Sequence, residues 1–183
     1  MVLKAARRYA NALLQIAIEQ GSLERVMEDM NSIHNTIRDS RELRLFLRSP
    51  IIKPEEKEKV LRMIFEESCD SLTVQFLDLV VRKGRERQLD QIAEGFLKLY
   101  KLHMGIEDVE LLTAMELPDS QLEELTATLE RNTGKTVHLT VTEKPELKGG
   151  IAVRIGDTII DGTIRHKVDQ LETLFKQTAI ANQ

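Results

Sequence analysis

The sequence contains one cysteine, Cys69, and no tryptophan, and only 4% of its residues are aromatic. A single cysteine excludes an internal disulfide and a thiolate-rich metal site, and it is consistent with a reducing compartment. The scarcity of aromatic side chains predicts a core built from Leu, Ile, Val and Ala. It also removes most of the stacking surface by which proteins recognise single-stranded RNA.

Long apolar runs are also missing. No stretch approaches the roughly 20 apolar residues that a transmembrane helix requires. An amphipathic helix is predicted directly after Met1, in place of the apolar core of a signal peptide. We therefore expect any membrane association to depend on partner proteins, and the lack of a visible transit peptide favours a bacterial protein.

The net charge restricts the possible classes of protein further. Charged residues make up 31% of the chain and the formal net charge is −4, with the acidic excess in residues 106–183. A negative net charge disfavours a general nucleic-acid binder. The length of 183 residues allows one large domain or two small ones.

The N-terminal part of the chain has the apolar period of α-helices. Glycine or proline interrupts this period at Gly21, Pro50 and Gly84, and we count six helices in all. Short connections favour antiparallel neighbours in helical proteins. Residues 1–105 are therefore predicted to form a six-helix bundle.

Residues 106–183 show a mixed pattern. Two segments rich in Val, Leu and Thr, residues 106–115 and 136–142, are predicted strands, and leucines at helical spacing predict a helix over residues 117–132 between them. A hairpin and a final helix from about Thr163 to Ala179 complete the order β-α-β-β-β-α. The whole chain is predicted to be α+β and mainly α.

The segment from Gly149 to Thr163 is the most informative. Residues 151–155 alternate as a half-buried strand does, and Gly156 followed by Asp157 suits a type II′ hairpin turn. Asp161 is expected to offer its carboxylate to the first amides of the final helix. Turn and cap chemistry thus account for both aspartates, which argues against a catalytic acid pair.

The other motifs carry no catalytic signature. The tripeptide Gly134-Lys135-Thr136 resembles the end of a phosphate-binding loop, but Leu129 stands where that loop requires glycine. The histidines share no metal-ligand spacing, and no nucleophile motif or cofactor loop is present. We predict no catalytic, cofactor-binding or metal-binding residue. One basic cluster at a helix end is interpreted as complementing the helix dipole, with phosphate binding as the alternative: Arg82, Lys83, Arg85 and Arg87.

Two of the predicted helices have more apolar surface than one interface uses. Apolar residues fill an arc of about 200° on the first helix and about 220° on the helix over residues 71–83, whereas a helix packed on one side needs about 100°. Either both helices are central in the bundle, or the surplus forms a groove for a partner helix. The candidate groove residues are Tyr9, Ala10, Leu13, Leu14, Ala17, Leu72, Phe76, Leu79 and Val80.

Both ends of the chain resemble one known family. The N-terminal run Ala6-Arg7-Arg8-Tyr9-Ala10-Asn11-Ala12-Leu13 is similar to the opening of the delta subunit of F-type ATP synthase, whose mitochondrial equivalent is the oligomycin-sensitivity-conferring protein. The segment from Gly149 to Thr163 resembles the C-terminal signature of the same family. The signature positions in this chain are Gly150, Gly156, Asp157, Asp161 and Gly162.

The resemblance implies a non-catalytic stator subunit of the peripheral stalk, which keeps the catalytic head from turning with the rotor during proton-driven ATP synthesis. It implies that residues 1–105 bind the N-terminal helix of an alpha subunit between the first and fifth helices. It also implies that residues 106–183 hold the C-terminal end of the b subunit.

The same resemblance implies no cofactor and no nucleic acid, with attachment to the cytoplasmic face of the bacterial inner membrane only through the complex. The alternative from another class is a free-standing helical adaptor or RNA-binding regulator. Such a protein would need an organised basic face with exposed aromatic side chains, which the composition disfavours.

Overall fold

The structure is a computed structural model that describes residues 4–166. The chain divides into two compact units, Met1–Met104 and Gly105–Gln183. Within the described residues, the first unit contains α-helices and short turns, and the second contains a four-stranded sheet with one long helix. The predicted class, α+β and mainly helical, is confirmed.

The helices of the first unit are short and follow each other closely. Short connections between amphipathic helices bring successive helices into contact and give them one shared core. The helices are α1 (Lys4–Glu19), α2 (Leu23–Asp39), α3 (Arg41–Arg48), α4 (Pro54–Phe65), α5 (Ser71–Arg82) and α6 (Leu89–His103).

The boundaries of α5 illustrate how local chemistry sets the helix ends. At its start, Asp70 Oδ1 accepts the amide N–H of Leu72 at 2.8 Å, which satisfies one of the free donors of the first turn. Past its end, Gly84 adopts a φ of +64°, and the amide of Arg85 donates to the carbonyl of Val80 at 2.9 Å. The backbone of Arg85 is therefore fixed just beyond the helix.

Helix α1 packs through its smallest side chains. Ala6, Ala10 and Ala17 have no exposed surface, and α1 lies directly against α6. Alanines at a helix contact allow the two backbones to approach closely, so small changes of side-chain volume there are strongly felt. The same face of α1 also buries Leu13 and Leu14 in the core of the unit.

A buried ion pair joins distant parts of the helical unit. Lys57, in the first turns of α4, is 2% exposed, and its Nζ donates to Glu86 Oε1 at 2.8 Å and to the carbonyl of Leu47 at 2.9 Å. Glu86 begins the 3-10 turn that precedes α6. Burying two charges is favourable only when geometry and hydrogen bonds compensate for lost hydration, and here the pair connects α3, α4 and the approach to α6.

The second unit is a small sheet covered by one helix. The sheet order is β2-β1-β3-β4, with β1 parallel to β2 and the other two pairs antiparallel. Helix α7 makes the crossover that the parallel pair requires. The elements are β1 (Ile106–Thr113), α7 (Asp119–Thr133), β2 (Thr136–Glu143), β3 (Ile151–Ile155) and β4 (Thr158–Asp161).

The two faces of the sheet differ in polarity. The apolar face lies under α7, and on the opposite face the guanidinium of Arg154 donates to Glu110 at 2.7 Å. Part of this opposite face is also buried, since Leu112 and Ala152, which pair across β1 and β3 on the same side as Glu110 and Arg154, are 7% and 3% exposed. The apolar face is formed by Val109, Leu111, Val137 and Val153, against Leu122, Leu125 and Leu129 of α7.

Two sequence expectations concern the final helix and membrane-spanning helices. Residues 164–166 are helical, as the predicted final helix requires, and the rest of that prediction, to Ala179, lies outside the described residues. In residues 4–166, no helix combines the length and the apolar character needed to cross a bilayer.

The buried ion pair leads to a stability prediction. Lys57→Met leaves the Glu86 carboxylate buried without its partner, and we expect the free energy of unfolding to fall by about 3–5 kcal/mol. Urea denaturation followed by circular dichroism measures this change. The exposed Arg82–Glu58 pair supplies the control, since Arg82→Gln should cost less than about 1 kcal/mol. Similar losses for the two variants would contradict the role assigned to Lys57.

The packing of α1 leads to a second prediction. Ala10 has no exposed surface whereas Ala12, half a turn away, is exposed. Ala10→Asp buries a carboxylate and overfills a close helix contact, so we expect it to destabilise the helical unit by more than about 2 kcal/mol. Ala12→Asp is the matched control, with a change within about 0.5 kcal/mol. Thermal unfolding of both variants tests this, and a stable Ala10→Asp protein would show that α1 packs differently.

Candidate partner-binding groove

An apolar groove lies between α1 and α5 on the helical unit, and we call it the α1–α5 groove. Its volume is about 340 Å³. Helix α1 contributes most of the lining, and α5 and the turn after it contribute the rest. The lining residues are Ala5, Arg8, Tyr9, Ala12, Leu13, Ile16, Phe76, Leu79 and Arg85.

The groove exists because α1 presents two apolar faces. Ala5, Ala12 and Ile16 follow each other at multiples of about one helical turn and line the groove. Ala6 and Ala10 lie on the neighbouring face and are fully buried in the core. The wide apolar arc of α1 thus divides into a core-packing face and a groove-lining face.

The depth of the groove comes from side chains of different exposure. Leu13 and Phe76 are 0% and 6% exposed and form its floor. Ile16 and Leu79 are 40% and 44% exposed and stand at its rim. A recessed apolar floor between exposed apolar side chains is typical of a surface that receives another protein.

The two charged residues that line the groove are both arginines, Arg8 on α1 and Arg85 just past α5. Both are exposed, and within residues 4–166 neither side chain makes an ion pair or a hydrogen bond. The neighbouring Arg82, by contrast, pairs with Glu58 at 3.2 Å. The interpretation of Arg85 as a helix-end charge therefore omits its position at the groove.

The structure divides the nine candidate groove residues into two groups. Four of them line the groove: Tyr9, Leu13, Phe76 and Leu79. The other five pack into or against the core of the helical unit instead: Ala10, Leu14, Ala17, Leu72 and Val80. These five residues are absent from the groove lining, so the groove is described below by the four candidates that do line it.

Five groove residues were not among the sequence candidates: Ala5, Arg8, Ala12, Ile16 and Arg85. The apolar arc of α1 included Ala5, Ala12 and Ile16, but periodicity alone could not separate the core-packing face from the groove-lining face. Arg85 belongs to the basic cluster at a helix end and Arg8 to the N-terminal run, but neither pattern indicates a position at a groove.

The C-terminal signature has a different geometry, in which two backbone segments touch. Gly150 has a φ of +77°, and a Cβ on it would lie 2.6 Å from the carbonyl oxygen of Gly162 and 2.9 Å from Cα of Thr163. The amide of Gly162 donates to the carbonyl of Ile151 at 2.9 Å. Only glycine at position 150 allows the start of β3 and the segment after β4 to approach this closely.

The hairpin turn agrees with its sequence interpretation. Ile155 pairs with Thr158 across a two-residue loop. Gly156 has a φ of +56°, and the next residue, Asp157, does not have a positive φ. A positive φ at the first loop residue alone distinguishes a type II′ turn from a type I′ turn.

Asp161 accepts a backbone amide as expected, but the cap of the helical residues 164–166 is Thr163, two positions later. Asp161 Oδ1 accepts the amide of Thr163 at 2.9 Å, and Thr163 Oγ1 accepts the amide of His166 at 3.2 Å. Thr163 is therefore the residue that caps the helical residues 164–166, and Asp161 stabilises the turn before it. Hydrogen bonds from the hydroxyl and the amide of Thr163 lower the pKa of Asp161, so the carboxylate is ionised at neutral pH.

Reactive chemistry is sparse in the described part of the chain. No group of three or more His, Cys, Asp or Glu residues in residues 4–166 could hold a metal ion. Burial, and next the nearby Asp29 carboxylate, raise the pKa of the Cys69 thiol, which lowers its fraction of nucleophilic thiolate.

Known proteins are similar to this chain in both sequence and fold. The family model described as ATP synthase delta (OSCP) subunit matches residues 5–175. The ATP synthase subunit delta of Chlorobium chlorochromatii (strain CaD3) is 38% identical over 94% of this chain and 96% of its own length. That of Symbiobacterium thermophilum is 36% identical over 91% of this chain and 89% of its own length.

A solved structure extends the similarity to three dimensions. A chain in the cryo-EM structure of the Toxoplasma gondii mitochondrial ATP synthase hexamer aligns with a TM-score of 0.73 at 25% identity, covering 94% of this chain and 98% of that one. With both ends of the sequence, the α+β fold and the matched length in agreement, this chain belongs to the ATP synthase delta (OSCP) subunit family.

Proposed function

We propose that this chain is a stator subunit in the peripheral stalk of an F-type ATP synthase, where it joins the catalytic alpha/beta head to the b subunit and resists the torque of the rotor. The observation that carries this proposal is the α1–α5 groove, a recessed apolar surface in a member of the delta (OSCP) family. A stator requires firm contacts and no chemistry of its own, so we assign the chain no catalytic role.

The helical unit is proposed to act as a six-helix bundle that binds the N-terminal helix of an alpha subunit in the α1–α5 groove. An amphipathic helix fits such a surface by placing apolar residues at every third or fourth position against it. The floor formed by Leu13 and Phe76 would contact that apolar face, with Ile16 and Leu79 on either side of it.

The sheet unit is proposed to hold the C-terminal end of the b subunit. Support comes from exposed apolar side chains on the edge strand β4 and at the first helical residue after it, where Ile159, Ile160 and Ile164 are 53%, 61% and 50% exposed. Isoleucines this exposed on one edge favour a docking surface. In this arrangement the chain is peripheral to the cytoplasmic face of the inner membrane and is held there by the complex.

The groove can be tested with one substitution at its rim. Leu79→Gln keeps a helix-forming residue at an exposed position but brings an amide into the apolar contact. We expect the affinity for a synthetic peptide of the alpha-subunit N-terminus to fall at least about tenfold, which corresponds to a cost of about 1.4 kcal/mol or more. Isothermal titration calorimetry with the full chain measures this affinity.

The matched control is Leu45→Gln on α3, where the leucine is 60% exposed and lies outside the groove. Its affinity should equal that of the wild type. If Leu79→Gln also binds the peptide with wild-type affinity, the α1–α5 groove is not the docking site.

The signature can be tested through coupling. Gly150→Ala forces a Cβ into the Gly162 carbonyl, so we expect it to distort the sheet unit and loosen the b subunit. In reconstituted vesicles, proton-driven ATP synthesis should fall by at least half, whereas ATP hydrolysis by the detached head should be unchanged.

Gly134→Ala is the control for this variant, because Gly134 also has a positive φ but has no atom near its added Cβ. Its cost should be limited to about 1 kcal/mol of backbone strain, with coupled synthesis near the wild-type level. Loss of hydrolysis in the detached head with the Gly150→Ala subunit would contradict a stator role.

A further inference from the structure

We propose that Arg8 and Arg85 form a cationic rim on the α1–α5 groove that binds carboxylates of the docked helix and selects an acidic amphipathic partner. This inference rests on the proposed function of the groove and specifies the chemistry of its occupant. It starts from the asymmetry of the lining, which contains two guanidinium groups and no carboxylate.

Several arginines of the helical unit are held by partners within the unit. Arg62 pairs with Asp78, Arg82 pairs with Glu58, and Arg44 donates to the carbonyl of Ile37. Within residues 4–166, Arg8 and Arg85 have no such partner. Two unpaired guanidiniums beside one apolar groove provide donors for carboxylates that arrive with another chain.

The backbone around both residues holds them in place. Arg8 lies one turn before Ala12 on the groove-lining face of α1. Arg85 follows Gly84, and its amide is bound to the carbonyl of Val80 at the end of α5. Because their backbones are fixed, less conformational freedom is lost when the guanidiniums bind a carboxylate in the planar, two-pronged geometry that arginine favours.

The apolar floor and the arginines at the rim contribute differently to binding. The apolar floor supplies affinity without direction, because burial of apolar surface is non-directional. Charge pairs at the edge of an interface steer association and fix register, and they exclude partners of the wrong sign. A helix with carboxylates beside its apolar stripe should therefore bind in one orientation, and a helix with lysines there should be rejected.

The test is a charge-neutralising double variant, Arg8→Gln/Arg85→Gln, in the full chain. The probe is the synthetic alpha-subunit N-terminal peptide, titrated by calorimetry at several ionic strengths. We expect the affinity at low salt to fall by about fivefold or more and its salt dependence to flatten, since exposed charge pairs are screened by salt. A peptide with every Asp and Glu replaced by its amide should bind the wild type and the double variant equally.

The control is Arg41→Gln/Lys59→Gln, which removes the same charge from exposed positions outside the groove. It should leave both affinity and salt dependence at the wild-type level. If Arg8→Gln/Arg85→Gln keeps wild-type affinity and salt dependence, the proposed cationic rim is wrong. The proposal is also wrong if the double variant loses as much affinity for the peptide without Asp and Glu as for the acidic peptide, because the arginines would then act by packing alone.

The Leu79→Gln variant distinguishes a failure of the cationic rim from a failure of the α1–α5 groove as the docking site. If Leu79→Gln weakens binding while Arg8→Gln/Arg85→Gln does not, the groove is the docking site and the cationic rim is wrong. If Leu79→Gln binds as the wild type does, the groove itself is wrong and the rim is overturned with it. Urea denaturation of each variant identifies any loss of binding that comes from unfolding.

Discussion

The close contact between α1 and α6 is the constraint on which the groove depends. Ala6, Ala10 and Ala17 face the core with no exposed surface, so α1 can lie close to α6 with its small side chains inward. The larger apolar residue Ile16 is then left on the neighbouring face, toward α5. A bulkier side chain at position 10 would displace α1 and change the width of the groove, so core packing would also affect the partner binding proposed there.

Local chemistry made much of the fold predictable. Strands, turns and helix ends depend on residues close in sequence, and the hairpin at Gly156 has the turn type that its sequence indicates. The cap of the helical residues 164–166 was displaced by two positions, from Asp161 to Thr163. Both side chains can accept an amide proton there, so sequence alone could not rank them.

Non-local contacts account for what the sequence could not provide. Positions 10 and 12 both hold alanine, yet Ala10 is buried in the core and Ala12 lines the groove. Their roles depend on which helices surround α1, and periodicity carries no information about neighbours. Lys57 likewise falls among the charged residues that open α4, but its partner Glu86 is 29 positions away, so its burial could not be inferred.

A stator has to transmit force without moving, and the structure meets this requirement differently in each unit. In the helical unit, the Lys57–Glu86 pair ties α4 to the approach to α6 and thereby restrains helices around the same core that supports the groove. In the sheet unit, the close approach of Gly150 to Gly162 fixes the corner from which the exposed isoleucines project. Apolar contact on such rigid supports gives a joint its affinity, and charges at its rim give it direction. The proposed cationic rim would therefore add what an apolar groove alone cannot supply, which is a preferred orientation for the helix proposed to dock there.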